Sequence, residues 1–177
     1  MRRPASTARR VPNDGADHGS SPLARRGWLV GGIVVGVVVV DQLTKTWAVR
    51  ELADGPVDLF GDVAFRLSRN SGGAFSLFQG FTPLLAILAI VLAVVLVRAL
   101  QRTRDPLVLV ALALILGGAI GNLLDRLFRS PSFLRGEVVD FVDVGRFPVF
   151  NVADSAITIG AVLLFVAALR APEADPA

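Results

Sequence analysis

Apolar residues along this chain gather in four long runs, separated by polar or glycine-rich stretches. The first run, residues 28–47, covers 20 residues, about 30 Å of helix and enough for one bilayer crossing. The second is 81–97, opened by Thr82-Pro83, where a helix start tolerates proline. Asp105-Pro106 opens the third, 107–124, and the fourth is 152–169. Within the third, Gly117 and Gly121 stand at small-xxx-small spacing beside Gly118, a pattern that favours close helix packing. The pattern changes between the first two runs. Gly, Pro and Asp punctuate 50–80, and Val63-Ala64-Phe65-Arg66-Leu67 alternates as short strands do. A glycine-bearing loop, Asn70-Ser71-Gly72-Gly73-Ala74-Phe75-Ser76, follows; it reads either as an ordinary turn or as a place where backbone approaches another chain closely. Residues 129–150 read as a polar and aromatic connection, long for a compact domain. This segment and 68–78 are expected to border a groove and to move when it fills. The expected layout is a disordered Arg-rich tail over 1–27, a four-helix membrane domain over 28–170, and a short tail over 171–177.

Composition supports the membrane reading. Of 177 residues 53% are hydrophobic and the mean hydropathy is +0.62, too apolar for an ordinary soluble domain of this size. Charge then orients the spans. With four crossings both termini share one side, and that side also holds the 98–105 loop. It carries ten basic and five acidic residues, against eight and ten on the other side. Basic residues mark the cytoplasmic side, so both termini are expected there. Arg25-Arg26 before Trp28-Leu29 faintly resembles a twin-arginine export signal, but no small-x-small cleavage site follows the apolar run. The pI near 10.8 is thereby read as topology rather than nucleic-acid binding.

The candidate chemistry is carried by carboxylates. There is no cysteine, and the one histidine, His18, lies in the N-terminal tail. Thiol catalysis is excluded, and a His-based triad or a multi-His metal site is implausible. In the four-span topology Asp41 ends the first span, Asn122 and Asp125 end the third, and Asp154 begins the fourth. Antiparallel geometry puts all of them at the outer membrane surface, where an ionisable group is costly and marks a functional site. Asp140, within Val138-Val139-Asp140-Phe141, can fold back to that level. Two neighbouring carboxylates share a proton, so one can activate water while the other donates, the arrangement of aspartic proteases. Arg126 is placed to steady negative charge, with Asn70, Asn122 and Asn151 as donors to a substrate carbonyl. Three other readings stay open on residues alone. They are a divalent-cation site of Asp41, Asp125, Asp140 and Asp154, an ion or proton pathway, and a helix-capping role for Asp154.

The segments DQLTK (41–45), NSGGAFS (70–76), GNLLDR (121–126), VVDF (138–141) and FNVADSAITIG (150–160) together resemble the bacterial lipoprotein signal peptidase family, also called type II signal peptidase. They occur in the family's order, from the first span to the fourth. One departure is Gly73, where the family's usual NxGAAFS has its first alanine. The resemblance implies an all-α membrane protein of four transmembrane helices, with a small extracytoplasmic β-sheet over about 57–75 and a lid-like segment. It implies an aspartic endopeptidase that removes signal peptides from prolipoproteins, cleaving before a diacylglyceryl-modified cysteine. Asp140 and Asp154 would be the catalytic pair. Asp41, Lys45, Asn70, Gly72, Asn122, Asp125, Arg126 and Asn151 would support it or meet substrate. No cofactor, metal or nucleic acid is implied. The partners expected are the prolipoprotein and membrane lipid, with the enzyme acting as a monomer. The place expected is the bacterial cytoplasmic membrane, with the site at its extracytoplasmic face.

Overall fold

The computed structural model describes residues 22–71 and 82–170, with side chains from residue 24. Its elements run α1 (Pro22–Glu51), β1 (Val57–Phe60), β2 (Val63–Asn70), α2 (Thr82–Arg102), α3 (Pro106–Phe128), β3 (Val138–Asp143) and α4 (Val152–Arg170). Among the described residues four helices are long and apolar enough to cross a membrane. Large apolar side chains stand exposed along them, Val35, Leu43, Val91 and Phe165 among others. With no protein against those faces, lipid is the solvent that suits them.

The spans read from hydropathy coincide with these helices except that residue 81, the start expected for the second, lies outside the described residues, and the ends differ. α1 begins at Pro22 rather than at residue 28, so the last six residues of the expected tail are helical. A proline belongs in a first turn, and Ala24, Arg25 and Arg26 are good helix formers, which an apolar-run criterion does not weigh. The remaining helices also run on into polar residues, α1 to Glu51, α2 to Arg102 and α3 to Phe128. At its start α3 is capped by Asp105, whose carboxylate accepts from the backbone N–H of Leu107 and Val108 at 2.8 and 3.0 Å.

α3 is the helix the others surround. Half of its most apolar window is buried, against 6–17% for the other three. Its glycines let the neighbours in. A Cβ on Gly117 would stand 2.8 Å from Val37 of α1, one on Gly118 would collide with the Ala153 carbonyl of α4, and one on Gly121 would stand 2.6 Å from Asp41. The small-residue pattern therefore serves two helix contacts at once, and it brings α1 and α4 together at the level of Asp41.

The three strands form one antiparallel sheet, ordered β1-β2-β3. β1 and β2 are joined by the two-residue turn Gly61-Asp62, with Gly61 at φ +55°. β3 corrects the reading of 129–150 as a plain connection. It pairs with β2 at Ser68↔Asp140, Arg69↔Val139 and Asn70↔Val138. Its residues Val138 to Phe141 are all buried, so this part of the expected moving segment is core. The physical reason is composition: two β-branched residues and a phenylalanine surround Asp140. Val139 and Phe141 pack with Ala48 and Leu52 of α1, and Trp47 meets Phe65 and Phe141 edge-on at 5.3 and 6.1 Å. Each such buried side chain contributes about 1.5–3 kcal/mol. Chain entry to β3 is fixed as well: the Gly136 N–H donates to the Arg126 carbonyl at the end of α3, where a Cβ would have no room. Strand β2 ends at Asn70, and most of the 70–76 loop, with Gly72, lies outside the described residues.

Candidate active site

α4 begins with a reciprocal cap. Asn151 stands before the first helical residue, and its side-chain oxygen accepts from the Asp154 N–H at 2.9 Å. Asp154 Oδ2 in turn accepts from the Asn151 N–H at 3.4 Å, the logic of a capping box. The capping reading of Asp154 is thus partly realised, but Asn151 is the cap proper. Asp154 keeps Oδ1 for another partner, the Asn122 amide of α3, at 2.8 Å.

Asp140 comes to the same place from the sheet. It is 2% exposed. Its Oδ1 accepts from the Asn151 amide at 2.6 Å and its Oδ2 from the Asn70 amide at 3.2 Å. Asn151 also donates to Asn122 Oδ1 at 3.1 Å. The two carboxylates are therefore linked through Asn151 and Asn122. Burial pushes the Asp140 carboxyl up to about 7, and the neighbouring Asp154 charge adds to the rise; the Asn70 and Asn151 amides work against it.

The remaining acidic residues form a second group one layer away. Lys45 is fully buried and its ammonium contacts Asp41 at 2.8 Å, Asp125 at 2.9 Å and the Asn122 side-chain oxygen at 2.9 Å. Asp41 Oδ1 accepts from the Ala153 N–H at 2.9 Å, and Asp125 Oδ2 from the Val139 N–H at 3.2 Å. Two residues outside the expected set complete this group. Arg129 donates to Asp125 at 2.6 Å, and Gln42 bonds Asp41, Asp125 and the Gly121 carbonyl. A signal existed for both: Gln42 lies inside the 41–45 segment, and Asp125 with Arg129 is an i,i+4 charge pair.

The four carboxylates proposed for a cation site thus divide, two around Lys45 and two elsewhere. Among the described residues no group of three or more His, Cys, Asp or Glu has the geometry to hold a metal ion. Asp140 and Asp154 line one cavity of 630 Å³ together with Asn70, Asn122 and Arg126. Its other wall is apolar, from Phe147, Pro148, Val149 and Phe150 to Ile159. Asn70, Asn122 and Asn151 direct amide donors at the two acids. Arg126 is in electrostatic reach of both acids and anchors its guanidinium on the Asn122 carbonyl at 3.1 Å. Asp143 lies at the end of β3, pairing with the exposed Arg66 at 2.9 Å and away from this cavity.

A buried acid of raised affinity beside a second acid, in a cavity whose lining is mostly apolar, is suited to general acid–base work on a largely apolar substrate. Known proteins point the same way. The family described as Signal peptidase (SPase) II matches residues 33–170. The lipoprotein signal peptidase of Rhodococcus jostii (strain RHA1) is 46% identical over 169 residues, 92% of this chain and 85% of that protein. That of Mycolicibacterium smegmatis (strain ATCC 700084 / mc(2)155) is 44% identical over 168 residues, 94% of this chain and 71% of that protein. Two solved bacterial membrane enzymes share the fold. One, at 29% identity, has a TM-score of 0.71 over 84% of this chain and 94% of its own. The other, at 32% identity, has a TM-score of 0.70 over 80% and 93%. With a family match across most of its length and relatives this similar over nearly all of it, the chain belongs to the signal peptidase II family.

Proposed function

We propose that this protein removes signal peptides from prolipoproteins at the membrane surface, with Asp140 and Asp154 as its acid–base pair. The observation that carries the reading is the shared cavity, in which a carboxyl raised to about 7 sits beside a second, amide-held carboxylate. Asp140 holds the shared proton, and the Asn122 amide donates to Asp154. Asp154 takes a proton from water as its oxygen attacks the scissile carbonyl, and Asp140 protonates the carbonyl oxygen. As the tetrahedral diol collapses, Asp154 protonates the leaving amine and Asp140 recovers its proton. Neither step needs a covalent intermediate. Arg126 offsets charge building on the diol oxygen. The apolar wall from Phe147 to Phe150 and Ile159 suits acyl chains on a substrate cysteine that bears diacylglycerol. The protein works as a monomer in a bacterial cytoplasmic membrane, with the cavity at the outer face and both termini inside.

Asp140→Asn and Asp154→Asn test the pair. Asn keeps the shape and cannot carry the proton. Each variant is expected to fold in membranes and to lose processing of a diacylglyceryl-modified prolipoprotein by roughly 10²–10⁴-fold or more. Near wild-type cleavage by purified Asp154→Asn would leave Asp154 as a capping residue and end the assignment.

A further inference from the structure

We propose that Lys45 is a positioning residue: through three separate hydrogen bonds it sets where Asp140 and Asp154 stand relative to each other. This rests on the acid–base pair proposed above.

An ammonium has three donors, and here each has its own partner. One goes to Asp41, whose other oxygen holds the N–H of Ala153, the residue before Asp154. Another goes to Asp125, which holds the N–H of Val139, the residue before Asp140. The third goes to Asn122 Oδ1. That last contact decides which way the Asn122 amide faces. Oδ1 takes protons from Lys45 and Asn151, so Nδ2 is left to donate to Asp154 at 2.8 Å. With the amide reversed, its NH₂ would face an ammonium and its oxygen would face a carboxylate. Charge balance alone needs no such contact, since Asp41, Asp125, Lys45 and Arg129 already sum to zero. Lys45 is 0% exposed and does not line the cavity, so it meets no substrate and acts only through others.

Lys45→Met alone strands the buried Asp41 and leaves Asp125 with Arg129 only, and breaking a buried ion network is severely destabilising. The test is therefore the charge-balanced pair K45M/D41N in the full-length protein. Asp125 still faces Arg129, and the amide at position 41 keeps an acceptor for Ala153. With diacylglyceryl-modified prolipoprotein as substrate, kcat is expected to fall about 10²-fold, the scale of a small misplacement of reacting groups. KM should stay within about threefold and the thermal midpoint near that of the wild type. In an Asn122→Ala background the same pair of changes is expected to cost less than in the wild type, because the part of the link that runs through Asn122 to Asp154 is already cut while those through Asp41 and Asp125 remain. Wild-type kcat in K45M/D41N overturns the proposal while leaving the acid pair standing. Activity in Asp154→Asn removes the acid pair instead. Should K45M/D41N fail to fold, solid-state NMR of the Lys45 ammonium in the lipid-embedded wild type reads the same link. An ammonium bonded to the Asn122 amide supports the proposal, and one bonded only to carboxylates overturns it.

Discussion

Asp140 is a carboxyl that folding makes harder to ionise. Its proton affinity rises from an ordinary 3.8 to about 7 in the folded protein, through burial first and the charge of Asp154 second. The folded state therefore binds more protons than the unfolded chain between those two values, and stability falls as pH rises across that window. On the proposed mechanism, activity follows the same proton. Below about 7 Asp140 can donate; above it the donor is lost, so kcat/KM is expected to decline on the alkaline side with an apparent pKa near 7 for the pair. Asp140→Asn removes that dependence. Its thermal midpoint should therefore change less than that of the wild type as pH rises across that window, and the variant is expected to be inactive. Equal pH profiles of unfolding for the two proteins would show that the raised affinity is not there.

At the scale of elements, the site depends on how closely three helices approach. α4 carries Asp154 one residue beyond Ala153, and the Ala153 carbonyl lies where a Cβ on Gly118 would stand. Gly118→Ala must therefore push α4 from α3 by moving backbone, which shifts Asp154 from Asn122 and Asp140. A loss of processing of about 10²-fold with a lower thermal midpoint is expected. Gly36→Ala is the contrast. Nothing lies within 4 Å of a Cβ there, and replacing a helical glycine gains about 0.5–1 kcal/mol. Its activity should be unchanged and its midpoint slightly raised. If both changes behave alike in cleavage and unfolding assays, close α3–α4 contact does not govern the acids.

At the scale of the whole molecule, arginines gather at one end. The Arg26 guanidinium of α1 donates to the Leu100 carbonyl near the end of α2, tying two chain segments on the side where Arg98, Arg102 and Arg104 also lie. The layer that holds Asp140 and Asp154 is at the opposite ends of the helices, with the sheet over it. A reporter fused after Arg170 should behave as cytoplasmic and one inserted near Asp58 as external. The reverse result would put the cavity on the cytoplasmic face and contradict the proposed function.

Much of this was local enough to be written along the chain. Whether a run of apolar residues can cross a bilayer depends on its own length, so α1 to α4 were legible apart from their polar ends. The level of Asp41, Asn122, Asp125 and Asp154 followed from counting crossings. The family motifs singled out Asp140 and Asp154, which counting could not. What one dimension does not contain is which acids at that level face each other. In sequence Asp41 and Asp125 are as good a pair as Asp140 and Asp154. The fold separates them, because Lys45 rises from α1 between the first two, while β3 pairs with β2 and carries Asp140 to the mouth of α4. β3 itself was hidden for the same reason: a six-residue strand is stabilised by the partner strand and helix it packs on, not by its own pattern. The part played by Lys45 likewise exists only in space, since its bonds reach residues 77 and 80 positions away along the chain.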